Sequence, residues 1–229
     1  RQNAMFSATF PNRVQQLASS FLQDYIWIAV GKVGAAAGTI TQRLFCTPAD
    51  MSSDTKFGLL FKVLRRESGR TLVFTRTKTE AVSVHHMLTT SESEGGFGDD
   101  TAQIIHADRN QAQRHRALAK FTADSGSSAR ILVATDVAAR GLDVPSVAHI
   151  VNFSLPKNFT TYVHRIGRTG RAGASGIATS FYTPGFQPHV GNGKMAPMLL
   201  QAMRDTNQKV PSWFTQLREV VYGDDDDDN

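Results

Sequence analysis

The amino-acid sequence predicts an α/β fold, a mostly parallel β-sheet with helices on both faces. Three observations lead there. Short continuous apolar runs such as Thr71–Thr75, Ile131–Ala134 and His149–Asn152 read as strands buried on both sides. Segments of helical periodicity separate them, the order that βαβ units require. The chain has 229 residues, 41% of them hydrophobic, which supports an ordinary packed core without staples.

The elements follow in order. Asn3–Phe6 reads as a short strand entering Ser7-Ala8-Thr9. Pro11 then opens a helix over residues 12–23, with Val14, Leu17, Ala18 and Phe21 on one face. Tyr25–Val30 alternates as a strand, and residues 31–38 form a flexible stretch of small side chains. Ile40–Thr47 is a strand, Asp50–Glu67 a helix beginning near Pro48, Thr71–Thr75 a strand and Lys78–Thr90 a helix. Ser91–Asp100 is polar and glycine-rich, a mobile surface loop. Thr101–His106 is the next strand and Gln111–Thr122 the next helix. Ile131–Ala134, His149–Asn152 and Ala178–Tyr182 complete the strands, with helices near Phe159–Ile166 and Ala196–Thr206.

Composition narrows the function. Cys46 is the only cysteine, so an internal disulfide and a cysteine-rich zinc site are excluded, and a reducing compartment is expected. The seven histidines are scattered, and no metal site is expected. No apolar run approaches the ~20 residues of a bilayer span, so no membrane partner is expected. The chain starts at Arg1 with no signal-like segment, which suggests a piece whose natural start is missing. The net charge of +5 understates the basic character. Five of the 20 acidic residues are Asp224–Asp228, read as a solvated, disordered tail. The remaining acids face 25 lysines and arginines, a balance that suits a nucleic-acid partner.

In parallel sheets of this kind, ligands collect at the carboxyl ends of the strands. The loops there carry Thr75-Arg76-Thr77, His106-Ala107-Asp108-Arg109, Ala134-Thr135-Asp136, and the segment after Phe153. Helix N-termini beside hydroxyls and basic groups make phosphate seats. A row of such seats suits a sugar-phosphate backbone, read without regard to sequence. The centre of the chain is the stretch from Ala134 to Arg171. It opens with Ala134–Asp143 and closes with His164-Arg165-Ile166-Gly167-Arg168-Thr169-Gly170-Arg171, three arginines within seven residues. Guanidinium groups stay charged and fork onto phosphate oxygens.

These motifs resemble those of the C-terminal RecA-like lobe of DEAD-box ATP-dependent RNA helicases. Ala134–Asp143 resembles motif V of that family and His164–Arg171 its motif VI. Ser7-Ala8-Thr9 resembles the SAT motif, Leu72–Lys78 motif IV, and Gln111-Ala112-Gln113-Arg114 the QxxR motif. Residues 24–34, Ile40-Thr41-Gln42 and Val210-Pro211-Ser212-Trp213 are most similar to the subgroup containing Vasa and the translation-initiation helicases.

The resemblance implies a division of the chain. Residues 1–23 would be the tail end of the N-terminal lobe with a connecting helix, 24–38 the inter-lobe linker, 39–223 the RecA-like domain and 224–229 the acidic tail. Residues 1–10 would then lack their native neighbours. It implies that Arg168 and Arg171 reach the γ-phosphate of ATP as arginine fingers, with Asp143 on the ribose and Arg140 also at the nucleotide. His164 would couple the lobes by meeting Ser7 and Thr9. RNA would meet Arg76, Thr77, Arg109, Gln111, Arg114 and Thr135. Thr77 and Thr135 could equally serve as helix caps, and Arg165 is expected to be structural, paired with Asp136 or Asp143.

Implied cofactors are ATP, shared with the N-terminal lobe, and Mg²⁺ held through ATP and that lobe. Implied partners are RNA, the N-terminal lobe in cis and a translation-initiation scaffold protein, with a monomeric isolated lobe and a cytoplasmic location that allows nuclear shuttling. The chain contains no G-x-x-x-x-G-K-[ST] loop and no DEAD sequence, so alone it is expected neither to hydrolyse ATP nor to unwind RNA. It departs from the family at Ala107, usually glycine, at Arg76, usually Glu, and over residues 185–194. The rival readings are a non-catalytic RNA- or scaffold-binding module on the same fold, and a helicase of the wider superfamily acting on DNA.

Overall fold

The computed structural model describes residues 2–7, 10, 12–29, 36–90, 96–123, 129–139, 147–171, 173–187 and 190–217. Six strands form one sheet: β1 (Ile40–Cys46), β2 (Thr71–Thr75), β3 (Ala102–Ile105), β4 (Ile131–Thr135), β5 (His149–Asn152) and β6 (Gly176–Tyr182). Their order is β1-β6-β5-β2-β4-β3, and every pairing is parallel. The helices are α1 (Asn12–Phe21), α2 (Ser53–Arg66), α3 (Lys78–Thr89), α4 (Gln111–Thr122), α5 (Asp136–Ala139), α6 (Phe159–Ile166), α7 (Ala196–Asp205) and α8 (Ser212–Thr215), with a 3₁₀ turn at Gly193–Met195. Among the described helices none is long and apolar enough to cross a membrane.

Alternation along the strands divides the core in two. Leu72, Phe74, Leu132, Ala134 and Ile150 face a layer containing Phe121, Tyr162, Ile166, Leu199 and Phe214, from α4, α6, α7 and α8. Val73, Ile131, Val133 and Val151 face Leu60, Leu64, Val84 and Leu88, from α2 and α3. The all-buried runs of β2 and β4 are thus covered on both sides, as their unbroken apolar text requires.

Helix starts follow local capping. Ser52 accepts from the Thr55 amide at 3.2 Å, so α2 begins at Ser53. The expected start near Pro48 is corrected, because Pro48–Met51 closes a turn of its own. Asn110 and Gln113 form a capping box on α4. Asn158 accepts from the Thr161 amide at 2.9 Å, and α6 ends at Gly167.

Two expected strands are absent. Residues 3–6 and 25–29 have no strand pairing, and Phe6, Ile26 and Ile28 are 93%, 86% and 78% exposed. A strand needs a neighbour to complete its ladder, and the apolar alternation here has none among the described residues. The loop expected at 91–100 also divides. Residues 91–95 lie outside the described residues, but Phe97 donates to the Leu88 carbonyl at 2.9 Å and its ring meets Phe61. Phe97 is thus packed against the body of the fold, while Asp99 and Asp100 are exposed. Residues 30–35 and 218–229 lie outside the described residues as well.

His149 was not singled out by its sequence context, yet it is wholly buried at the start of β5. Its Nε2 lies 2.9 Å from Thr179 Oγ1 while its Nδ1 is buried without a hydrogen-bond partner. Burial, only partly offset by Glu67, pushes its pKa down to about 4. The unfolded chain therefore takes up this proton first as pH falls, and the stability that neutral His149 provides is lost from about pH 6.5 downward. Urea denaturation should show a loss of about 2 kcal/mol between about pH 7.5 and about pH 5 that His149→Gln removes. The same loss in that variant would contradict the assignment.

Candidate functional site

The parallel register brings four loops to one edge. Thr75 pairs with Thr135, Ile105 with Ala134 and Phe74 with Asn152, so the segments after β3, β4, β2 and β5 leave the sheet side by side. Arg76, Thr77, Arg109 and Thr135 are thereby gathered at the carboxyl edge. The loops are also tied laterally. Lys78 Nζ meets Asp108 at 2.7 Å, a contact that raises the lysine pKa and lowers that of the aspartate. His106 sits just behind, its pKa lowered by burial and then by Arg109.

Individual roles differ from residue to residue. Thr77 caps α3, its hydroxyl accepting from the Glu80 amide at 3.1 Å, and Thr135 is 8% exposed. Arg114 is half-buried and donates to the Ala138 carbonyl at 2.8 Å, fastening α4 to α5. Arg114→Ala therefore disturbs this local structure besides removing a surface cation. Gln111 is exposed, with its amide 2.8 Å from His115 Nε2.

Glu80 was missed by sequence reasoning. It accepts from the Arg76 amide at 2.8 Å and from the Ser154 hydroxyl at 2.6 Å, joining the loops after β2 and β5. Lys56 Nζ lies 3.9 Å from the same carboxylate and 4.2 Å from the Phe153 ring centroid, its pKa lowered by burial. The Thr77-x-x-Glu80 spacing was a visible signal, since it matches a capping box. Here the glutamate reaches one residue further back than the cap.

On the α5–α6 face lies a cavity of about 500 Å³, lined by Asp136, His164, Arg165, Arg168 and Arg171 among others. Arg165 is 2% exposed. It forks onto Asp136 (Nε–Oδ1 2.6 Å, Nη2–Oδ2 2.8 Å) and donates Nη1 to Asn152 Oδ1 at 3.1 Å and the Ser154 carbonyl at 2.7 Å. Its guanidinium also covers the Phe74 ring, 4.9 Å from the centroid. The expected structural pairing of Arg165 is thus made with Asp136.

Beyond α6 the chain turns through Gly170, whose φ is +66°, and Thr39 donates to the Gly170 carbonyl at 3.0 Å. Thr169 donates to the Val147 carbonyl, so this turn is fastened to the residues preceding β1 and β5. Arg168 is half-buried at the cavity and Arg171 exposed, its Nε donating to the Gly167 carbonyl at 2.8 Å. His164 and Ser7 are exposed. Thr9, Arg140 and Asp143 lie outside the described residues. Half-buried Arg168 and exposed Arg171 thus lie beside an Arg165 whose charge Asp136 already balances, an arrangement whose excess positive charge suits an anion.

Residues 55–173, just over half of the chain, match the model of the helicase conserved C-terminal domain. The chain belongs to that family. The lobe superposes on the yeast DEAD-box splicing factor Prp28 with a TM-score of 0.68 and 25% identity, covering 98% of this chain and 46% of that one. It superposes on S. cerevisiae Dbp5 bound to RNA and ADP BeF3 with a TM-score of 0.66 and 28% identity, covering 90% and 49%. With the C-terminal domain of the DEAD-box protein Dbp5 the identity is 30% and the TM-score 0.55, covering 73% of this chain and 86% of that domain. The lobe therefore has the RecA-like fold of DEAD-box helicase C-terminal domains, and it spans about half the length of the Prp28 and Dbp5 chains.

Removal of the Glu80 carboxylate should loosen the edge. Glu80→Ala is expected to lower the unfolding free energy by about 1–2 kcal/mol, with Glu80→Gln retaining most of it. Chemical denaturation of the three proteins measures this, and equal stability of wild type and Glu80→Ala would refute the bridging role.

Proposed function

We propose that this lobe is the C-terminal half of an ATP-dependent RNA helicase, supplying arginine fingers and half of the RNA surface for local duplex unwinding. The observation that carries it is the pair Arg168 and Arg171, presented at the mouth of the α6 cavity while Arg165 beside them is locked in place. Half-buried Arg168 and exposed Arg171, carried on a fastened turn, lie where they could extend to a phosphate held by a second lobe. Charge stabilisation of that kind is worth roughly 10³–10⁵ in rate in nucleotide hydrolases, or about 4–7 kcal/mol.

ATP would be shared between the lobes, with Arg140 and Asp143 as further nucleotide contacts from this side and Mg²⁺ held through ATP and the N-terminal lobe. His164 would couple this lobe to Ser7 and Thr9. RNA would run along the carboxyl edge past Arg76, Thr77, Arg109 and Thr135, with Gln111 and Arg114 bracing it. Backbone and 2′-hydroxyl contacts there would leave the sequence unread and separate RNA from DNA.

The division into lobe-1 tail (1–23), linker (24–38), RecA-like helicase C-terminal domain (39–223) and acidic tail (224–229) draws support from the exposure of Phe6, Phe21, Ile26 and Ile28, which have no place in this core. Text at residues 24–34 and 210–213 supports a position near the Vasa and translation-initiation helicases, and with it a translation scaffold partner and a cytoplasmic location. Lacking the glycine-lysine loop and the DEAD sequence, the lobe alone would neither hydrolyse ATP nor unwind RNA.

In a two-lobe protein carrying this chain, Arg171→Ala and Arg168→Ala should each lower RNA-stimulated kcat by about 10³-fold or more. RNA affinity should stay within about threefold, because the carboxyl-edge contacts are untouched. Turnover within about tenfold of wild type in both variants would overturn the reading.

A further inference from the structure

On the opposite face of the sheet, α2 and Met87 of α3 line an open groove of about 640 Å³ that the nucleotide and RNA reading does not use. Two stripes of α2 build it. Phe57, Phe61 and Arg65 lie four apart on one stripe, and Asp54, Gly58 and Lys62 lie four apart on the next. The walls are packed against neighbouring side chains. Phe57 stacks on Phe153 at 5.6 Å between centroids, and Phe61 packs on Phe97 at 5.5 Å. Arg65 spans Phe61 and Phe97 at 5.7 and 5.4 Å.

Gly58 is the unusual member. Glycine disfavours the interior of a helix, and a Cβ placed there would meet nothing within 4 Å among the described residues. Packing inside this chain therefore does not require glycine at this position. Its effect is to leave the floor of the groove open to an incoming group. The rim is charged in one sense. Among the described residues, Lys62, Arg65 and Arg66 are exposed along the carboxyl-terminal half of α2, and Asp54 is the only acid in the lining.

We infer that this groove docks a peptide segment of a partner protein, one that seats a bulky apolar side chain over Gly58 between Phe57 and Phe61 and directs carboxylates towards Lys62 and Arg66. Charge complementarity selects an acidic occupant, and the apolar floor requires an anchor. A nucleic acid fits less well, because one face of each ring that a base would stack on is already covered, by Phe153 on Phe57 and by Arg65 on Phe61. The groove lies across the sheet from Arg168 and Arg171, so its occupant does not compete for the nucleotide cavity.

The test uses the full chain and a fluorescein-labelled peptide, Gly-Ser-Leu-Phe-Asp-Glu-Asp, followed by anisotropy. Saturable binding is expected, weakened at least about tenfold by Gly58→Leu and similarly by Lys62→Glu combined with Arg66→Glu. Replacing Leu-Phe in the peptide by Ala-Ala should remove it, whereas Arg171→Ala should leave it unchanged. Thermal melting checks that Gly58→Leu stays folded, as the open space around that position requires. Absence of saturable binding, or binding indifferent to Gly58→Leu, overturns the proposal. So does displacement of the peptide by oligouridylate, or a dimer of the chain that Gly58→Leu dissociates, since either assigns the groove to a different occupant.

Discussion

The arrangement depends on one buried guanidinium. Arg165 joins three parts of the structure that are distant in sequence: Asp136 at the start of α5, Asn152 and Ser154 at the end of β5, and its own helix α6. Asn152 extends the network to β6 by donating to Ser180 at 3.0 Å. A buried charge without partners would be strongly unfavourable, so these carboxylate and carbonyl oxygens are as necessary to the arginine as it is to them. Taking Asp136 out of circulation also leaves the outer part of the cavity positive. Arg168 and Arg171 then continue from a helix that cannot easily shift.

The two faces and one edge of the sheet divide the labour. The carboxyl edge gathers Arg76, Thr77, Arg109 and Thr135, and is held laterally by Glu80 and by the Lys78–Asp108 contact. The α5–α6 face carries the arginine cavity, and the α2–α3 face carries the aromatic groove around Gly58. Arg165 lies where the edge and the cavity meet, because Ser154 belongs to both its own shell and that of Glu80. The residues of the edge and those of the cavity are thereby linked through short, hydrogen-bonded steps.

Much of the fold was legible because its signals are local. The bounds of α4, α6 and β5 could be read directly, since Asn110, Asn158 and Gly167 mark the helix limits and the strand is a single apolar run. Residues 3–6 and 25–29 misled for an equally physical reason. Their alternation records a half-buried environment, but burial needs a partner surface, and none is supplied among the described residues. The site was legible mostly as residue types. The Thr77 cap was legible because it is local, whereas the contact of Arg114 with the Ala138 carbonyl and the bridging of two loops by Glu80 follow from strand order, which no short window of sequence contains. The role of Arg165 was the exception, since its position on the buried side of α6 and the nearby aspartates restricted the choices to a pair.

The account stands on the claim that Arg165 and Asp136 act as one unit inside the lobe. A double-mutant cycle of Arg165→Ala, Asp136→Ala and the combined variant, measured by urea denaturation, addresses it most directly. The account predicts a coupling energy of about 2–3 kcal/mol, with each single variant costing nearly as much as the pair. Additive effects, with a coupling below about 0.5 kcal/mol, would contradict it.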